Sequence, residues 1–165
     1  MDYSSAGILF EDSGGDEPLY LSGWNPKLSA WSGLGGKRRE NETAWQTALR
    51  EVIEELFGFR IRKQVLDMLS EDFTPIDFYQ NGTYVFFVRP IDFVFKICKR
   101  LEDFGYKSPF YIKYPITVYE LLESRNHEHG KNPEITDLRL ISFSFSESID
   151  PYFKADLEMI QKQFH

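Results

Sequence analysis

Residues 33–58 read GLGGKRRENETAWQTALREVIEELFG, a glycine-rich turn followed by the pattern of an amphipathic helix. After Thr43, apolar residues recur at the three- and four-residue spacings that place side chains on one helical face. These residues are Trp45, Ala48, Leu49, Val52, Ile53 and Leu56. The stretch therefore predicts a helix beginning after Thr43, with one face in a hydrophobic core and the other face charged.

The charged face of this helix is acidic. Glu51 precedes Glu54 and Glu55 by three and four positions, so the three carboxylates come from adjacent turns and can converge. Three converging anions repel one another unless a cation joins them, and carboxylate oxygens are ligands that Mg²⁺ and Mn²⁺ prefer. The helix alone is more typical of a solvated acidic face, because such faces are common. The glycines ahead of it favour the metal site, because backbone without side chains can approach metal or phosphate closely.

The spacing across the stretch resembles the signature of the Nudix hydrolases. Gly36 is followed after five residues by Glu42, and after seven more by the run Arg50-Glu51-Val52-Ile53-Glu54-Glu55. The strict likeness covers residues 36–58 of 165. One departure is visible, since Leu56 and Phe57 both precede Gly58 where the family usually has one residue. We expect the helix to end slightly later, or with a distorted last turn.

The resemblance implies an α/β/α sandwich around a mixed β-sheet, formed as a single Nudix domain by residues 1–165. It also implies Mg²⁺ or Mn²⁺ as the cofactor, held by three side chains and one backbone carbonyl. These metal ligands are Glu51, Glu54, Glu55 and Gly36. In the same comparison, Glu42 pairs with Arg50 to support the loop against the helix, and neither is a catalyst.

The reaction implied by the resemblance is attack by water on a phosphorus of a nucleoside diphosphate linked to another group. A base must accept the proton of that water. One candidate is a glutamate of the predicted helix, with Glu54 preferred over Glu51 and Glu55. The other is an acid from a distant loop, Glu128 or Glu134. His127 and His129 flank Glu128, and we interpret both as solvated loop residues.

The substrate is indicated by the residues that lead into the glycine turn. The stretch 31–37 is similar to its equivalent in Nudix enzymes that remove oxidised purine nucleotides, which favours a nucleoside triphosphate or an oxidised purine nucleotide. Trp24 and Trp31 are candidates for stacking on a base, and Lys37 and Arg38 for contacting phosphate. Alternatives are an mRNA-cap, ADP-ribose or dinucleotide pyrophosphatase, and a catalytically idle Nudix module that binds nucleotide.

The rest of the chain predicts alternating strands and helices, which favours a sheet with helices on its faces. Strands are predicted at 6–10, 19–21, 73–79, 83–88 and 135–145, with an extended stretch at 28–34. The dipeptide Asn81-Gly82 suits a tight hairpin turn between two of these strands. Further helices are predicted with Asp92 as N-cap and an end at Gly105, from the capping box of Thr117 and Glu120, and from Pro151 after Asp150.

Composition limits the partners and the compartment. A chain of 165 residues with 42% hydrophobic residues can bury one domain core, and its net charge of −7 disfavours broad contact with a nucleic-acid backbone. Capped RNA stays an alternative beside a small-molecule nucleotide. Cys98 is the only cysteine, and there is no apolar run for a bilayer or a secretion signal, so we expect a cytoplasmic protein without a membrane partner. The aromatic segment 73–114 is expected to shape the substrate pocket or a homodimer interface.

Overall fold

The computed structural model describes residues 2–75, 77–126, 133–145 and 147–164. The strands in these ranges are β1 (Ser5–Asp12), β2 (Leu19–Asn25), β3 (Ala30–Ser32), β4 (Leu34–Lys37), β5 (Phe78–Asn81), β6 (Tyr84–Pro90) and β7 (Leu138–Ser142). The helices are α1 (Ala44–Phe57), α2 (Lys63–Asp72), α3 (Asp92–Asp103), α4 (Val118–Glu123) and α5 (Pro151–Phe164). None of the helices in the described ranges is both long enough and apolar enough to cross a membrane.

The strands form one mixed sheet with β1 at its centre. The order is β3-β2-β1-β6-β5, with β4 paired to the first half of β1 and β7 paired to β2. β6 runs parallel to β1, and the other pairings recorded for the described strands are antiparallel. The register places Gly7 of β1 opposite Gly35 of β4. Residues 34–37 of the glycine-rich stretch predicted as a turn (the glycine turn) therefore form a strand against β1 instead.

Helices cover both faces of the sheet because side chains alternate along each strand. On β1, Ile8 and Phe10 belong to the larger core with α1, α2 and α3, whereas Leu9 belongs to a smaller core. That smaller core contains Phe153 and Leu157 of α5. The predicted arrangement of helices on both faces of a mixed sheet is therefore confirmed.

Helix α1 begins and ends at its predicted signals. The Thr43 hydroxyl accepts a hydrogen bond from the backbone of Gln46, and the Gln46 side chain accepts one from the backbone of Thr43. At the other end, the helix continues through Phe57, and Gly58 is the C-cap in the left-handed conformation with a φ of 79°. The extra residue before Gly58 thus lengthens the helix, as expected, and its last turn closes with a bond from Gly58 N to Glu54 O of 2.9 Å.

Several predicted boundaries were wrong. The strand expected at 73–79 begins only at Phe78, and the chain before it forms α2, which the prediction omitted although Val65, Leu66 and Leu69 are buried at helical spacing. The strand expected at 135–145 is confined to Leu138–Ser142. Asp92 is the first helical residue, and the N-cap is Ile91. By contrast, Gly82 has the positive φ, 61°, that the predicted hairpin requires.

Candidate functional site

The loop between β4 and α1 is held by a buried ion pair. Arg50 Nε donates to Glu42 Oε2 at 2.5 Å and Nη2 donates to Glu42 Oε1 at 2.9 Å, and both side chains are at least 96% buried. Arg50 Nη2 also donates to the Lys37 carbonyl at 2.7 Å. The carboxylate of Glu42 further accepts from Arg39 N and Thr47 Oγ1. The two residues expected to support the loop therefore contact each other and both ends of it.

Glu51 lies against the glycine turn. Its Oε1 accepts from Arg50 Nη1 at 2.6 Å, and its other oxygen faces Gly36. A Cβ placed on Gly36 would lie 2.3 Å from Glu51 Oε2, so the space beside this carboxylate exists only because residue 36 has no side chain. The Glu51 carboxylate therefore lies against bare backbone, while the predicted approach of this backbone to metal or phosphate stays a prediction.

Glu54 lies next to three arginines without hydrogen bonding to any of them. The nearest nitrogens of Arg39, Arg50 and Arg60 are 3.6, 3.6 and 3.7 Å from its carboxylate. Its Oε1 is buried and has no hydrogen-bond partner within the described part of the chain. Burial and the charge of Glu51 raise the pKa of Glu54, and the three arginines oppose that rise.

Glu55 is the most enclosed of the three acids. Its Oε1 accepts from the backbone N–H of Gly35 at 2.7 Å, which ties α1 to β4. Burial raises the pKa of Glu55 well above its ordinary value, the charge of Glu134 raises it further, and the bond from Gly35 lowers it. A cation would relieve this cost of burying a carboxylate.

The residues present fit a divalent cation by their chemistry. They combine carboxylates on one helical face, an unpartnered buried oxygen on Glu54 and a carboxylate oxygen beside the backbone of Gly36. Within the described ranges, no three Asp, Glu, His or Cys side chains are already grouped as a metal cage. Each glutamate instead has its own contact: Arg50 for Glu51, three arginines for Glu54 and Gly35 for Glu55.

A cavity of about 550 Å³ opens on the other side of the glycine turn, a volume typical of small-molecule sites. Gly35 and Gly36 form part of its wall, and Phe153 and Tyr152 of α5 contribute aromatic surface. The remaining lining residues are Ser5, Ser32, Gly33, Asn81, Gly82, Thr83, Tyr84, Asp150 and Asp156. The hairpin turn of segment 73–114 thus contributes to a pocket, one of the two roles expected of that segment.

Asp156 is a buried acid in this wall. Burial raises the pKa of Asp156 to about 7, the facing Asn81 amide lowers it, and the charge of Asp150 raises it. At neutral pH its carboxyl group therefore exists in both protonation states and can donate or accept a hydrogen bond. Tyr84 connects this wall to the acidic helix: burial raises its pKa, and the charges of Asp156 and Glu55 both add to that effect.

The other predicted site residues lie outside the cavity wall. Trp24 and Trp31 pack edge to face on β2 and β3 with ring centroids 5.4 Å apart. Lys37 is exposed at the end of β4, and the Arg38 guanidinium lies over the Tyr3 ring at 4.8 Å. Their assignment to base and phosphate therefore stays a prediction.

The two distant candidates for the base differ in what the structure describes. Glu134 is exposed, and its charge acts on Glu55, so the fold brings it toward the acidic helix. Glu128, with His127 and His129, lies outside the described residues.

Three residues near these sites were missed from sequence: Asp156, Asn81 and Arg125. Asp156 follows Phe153 by three positions on the buried side of α5, and a charged residue on an apolar face is a signal that could have identified it. Asn81 was assigned only to a turn. Arg125 stood in a polar stretch, and its hydrogen bonds and ring contact within the described residues are with Glu55, Ile135 and Phe110.

The sequence matches the NUDIX domain family over residues 2–103. No curated protein matches it significantly by sequence. Among solved structures, RenU, a Nudix hydrolase from M. smegmatis, is 16% identical with a TM-score of 0.50, covering 98% of this chain and 86% of its own. A C. elegans Ap4A hydrolase is 14% identical with a TM-score of 0.49, covering 97% of this chain and 96% of its own. The likeness to RenU is a likeness of fold.

Proposed function

The chain belongs to the Nudix family of hydrolases, and we propose that it hydrolyses a nucleoside diphosphate linked to another group. The preferred substrates are nucleoside triphosphates, including oxidised purine nucleotides. Hydrolases of this family use divalent metal ions. For this chain the proposed ion is Mg²⁺ or Mn²⁺, because the candidate ligands are carboxylate and carbonyl oxygens.

One observation carries this proposal: the glycine pair Gly35-Gly36 borders both the acidic helix and the cavity. On one side, Glu51 and Glu55 contact these two residues. On the other side, the same two residues line a cavity of about 550 Å³. Because neither residue carries a side chain, a nucleotide bound in the cavity can extend past this border and place its phosphates at the acidic helix.

The proposed ligands of the ion are the carboxylates of Glu51, Glu54 and Glu55 and the carbonyl of Gly36. When bound, the ion would neutralise charge on the phosphates and lower the pKa of a coordinated water. The protein itself supplies the positions of the acids. Arg50 holds Glu51 by a charge-assisted hydrogen bond, and the Gly35 N–H holds Glu55.

Glu54 is the proposed general base. Among the described residues its buried Oε1 has no hydrogen-bond partner, and burial raises its pKa, which supports a role in accepting a proton from water. Glu134 is the alternative, supported by its electrostatic effect on Glu55. Glu128 stays a candidate from sequence alone.

The walls of the cavity support a nucleoside as its occupant. Phe153 and Tyr152 offer aromatic surface, while Asn81, Asp150 and Asp156 offer hydrogen-bond donors and acceptors. Polar groups that converge on one pocket are typical of sites that fix the orientation of a ligand. The exposed basic run at 37–39 lies beside the glycine turn and is proposed to contact phosphates through Lys37 and Arg38.

The test is a hydrolysis assay with canonical and oxidised nucleoside triphosphates, ADP-ribose, dinucleoside polyphosphates and capped RNA. Each is measured with Mg²⁺, with Mn²⁺ and with EDTA. We expect turnover of a nucleoside triphosphate that depends on the divalent ion. Turnover of only ADP-ribose, a dinucleotide or capped RNA would overturn the substrate assignment and keep the hydrolase.

Glu54→Gln tests the residue proposed both as general base and as metal ligand in the same assay. It removes the proposed base with little change of volume, so we expect a loss of turnover of at least about 100-fold, in the range usual for general bases. Glu71→Gln on α2 is the matched control, because Glu71 is exposed and lies outside the acidic face. Nucleotide binding without turnover in the unaltered protein would instead indicate an idle binding module.

A further inference from the structure

We infer that Arg125 is a positioning residue that holds the last turn of α1, with Glu55, and the segment bearing Glu134 in one arrangement. The inference rests on the proposed function, because it concerns the acids assigned there. Arg125 follows α4 in the chain and is not part of the glycine turn or of α1.

One nitrogen of Arg125 joins two distant parts of the chain. Its Nη2 donates to the backbone carbonyl of Glu55 at 2.7 Å and to that of Ile135 at 3.2 Å. Ile135 directly follows Glu134 and is itself buried. A single guanidinium group therefore fixes where the chain carrying Glu134 lies relative to the turn carrying Glu55.

The guanidinium group is itself held in place by stacking. Its centre lies 4.4 Å from the centroid of the Phe110 ring, and the same ring packs against the C-cap, since a Cβ on Gly58 would lie 2.6 Å from it. The Nε and Nη1 atoms of Arg125 are buried and have no hydrogen-bond partner among the residues that the structure describes. The two bonds from Nη2 are thus the hydrogen bonds that orient this side chain within the described structure.

The position of the positive charge suits this role. The carbonyl of Glu55 is one of the last carbonyls of α1, where a cation stabilises the negative end of the helix. The charges of Arg125 and Glu134 act on the Glu55 carboxylate in opposite directions. Removing Arg125 takes away the positive charge that opposes Glu134 at that carboxylate and leaves the carbonyl of Glu55 without its donor.

The test measures Mn²⁺ binding to the substrate-free protein by electron paramagnetic resonance, together with kcat and KM. Arg125→Met keeps an aliphatic side chain but removes the charge and both hydrogen bonds. We expect Mn²⁺ affinity to fall about 10- to 100-fold, as for residues that orient metal ligands, and kcat to fall while KM for the nucleotide changes less than about twofold. Arg125→Lys, which retains a charge and one donor, is expected to recover part of the affinity.

Arg100→Met is the matched control. Arg100 also lies over a phenylalanine ring, that of Phe104 at 5.2 Å, and pairs with Asp72 at 2.7 Å, but it does not contact the acidic helix. We expect Arg100→Met to lower the melting temperature without changing Mn²⁺ affinity. Wild-type affinity in Arg125→Met, or an equal loss in Arg100→Met, would overturn the positioning role.

These outcomes separate the inference from the proposed function. A wild-type protein that binds Mn²⁺ but hydrolyses nothing overturns the reaction, while the Mn²⁺ affinities of the variants still decide the role of Arg125. A wild-type protein that binds no Mn²⁺ overturns both. If Arg125→Met does not fold, Arg125→Lys decides the point, with unchanged Mn²⁺ affinity counting against the inference.

Discussion

Replacing Arg50 by methionine should destabilise the protein far more than breaking an ion pair on its surface. Arg50 and Glu42 are 3% and 4% exposed, and the pair is joined by two hydrogen bonds. Methionine fills similar apolar space but leaves the Glu42 carboxylate buried without its cation. Only the bonds from Arg39 N and Thr47 Oγ1 then remain to it.

The magnitude follows from the cost of an uncompensated buried charge. Removing one partner of a buried pair costs about 3–5 kcal/mol. For a chain of this length, each kcal/mol lowers the melting temperature by roughly 3 °C, so the expected decrease is roughly 9–15 °C. An exposed pair provides the comparison: Lys63 and Asp67 are 49% and 47% exposed, and Lys63→Met should lower the melting temperature by less than about 3 °C.

The assay is scanning calorimetry at pH 7 with EDTA, which removes any contribution from bound metal. Burial alone would raise the pKa of Glu42, but hydrogen bonds from Arg50, Arg39 and Thr47 hold it below its ordinary 4.5. The stability from this pair is therefore present at pH 7 and is lost as the pH falls through the lowered pKa. A decrease for Arg50→Met no larger than that for Lys63→Met would refute the reasoning.

Three further substitutions test other parts of the structure. Gly36→Ala places a methyl group 2.3 Å from Glu51 Oε2, so Mn²⁺ affinity measured by calorimetric titration should fall at least about 10-fold. Wild-type affinity in this variant would show that Glu51 is not needed for Mn²⁺ binding. Asp156→Asn removes an acid whose pKa is raised to about 7, so the stability of the wild-type protein should decline relative to that of the variant as the pH rises from 4 to 7. Melting temperatures of the two proteins that change with pH in parallel would contradict this. Thr43→Ala removes the N-cap of α1 and should cost about 1 kcal/mol in urea unfolding, whereas Thr43→Ser should cost much less.

The parts of the fold that were predictable from sequence are those determined by neighbours along the chain. Helix α1 follows from its apolar spacing and its cap at Thr43, and the hairpin turn follows from Asn81-Gly82. Both signals act over a few residues. Helix α2 was equally local, with Val65, Leu66 and Leu69 at helical spacing, and its omission was an error of interpretation.

The order of the strands could not be predicted in this way. β6 pairs in parallel with β1, although nearly 80 residues separate Ser5 from its partner Tyr84. The sequence of neither segment indicates that it pairs with the other. The same limit applies to the site. The acidic face was visible as a spacing, whereas the contact of Arg125 with Glu55 and the cavity beside Asp156 exist only because distant segments pack together.

The last turn of α1 shows that the region matching the family is not a separable unit. Ser108 donates to the carbonyl of Phe57 at 2.6 Å, and Arg125 donates to that of Glu55. Both donors lie beyond residue 103, where the family match ends. A fragment of residues 2–103 would keep Glu51, Glu54 and Glu55. It would expose these two carbonyls, along with the sheet face that α5 covers. We expect such a fragment to be poorly soluble and not to bind Mn²⁺. A minimal active protein must therefore extend through α5.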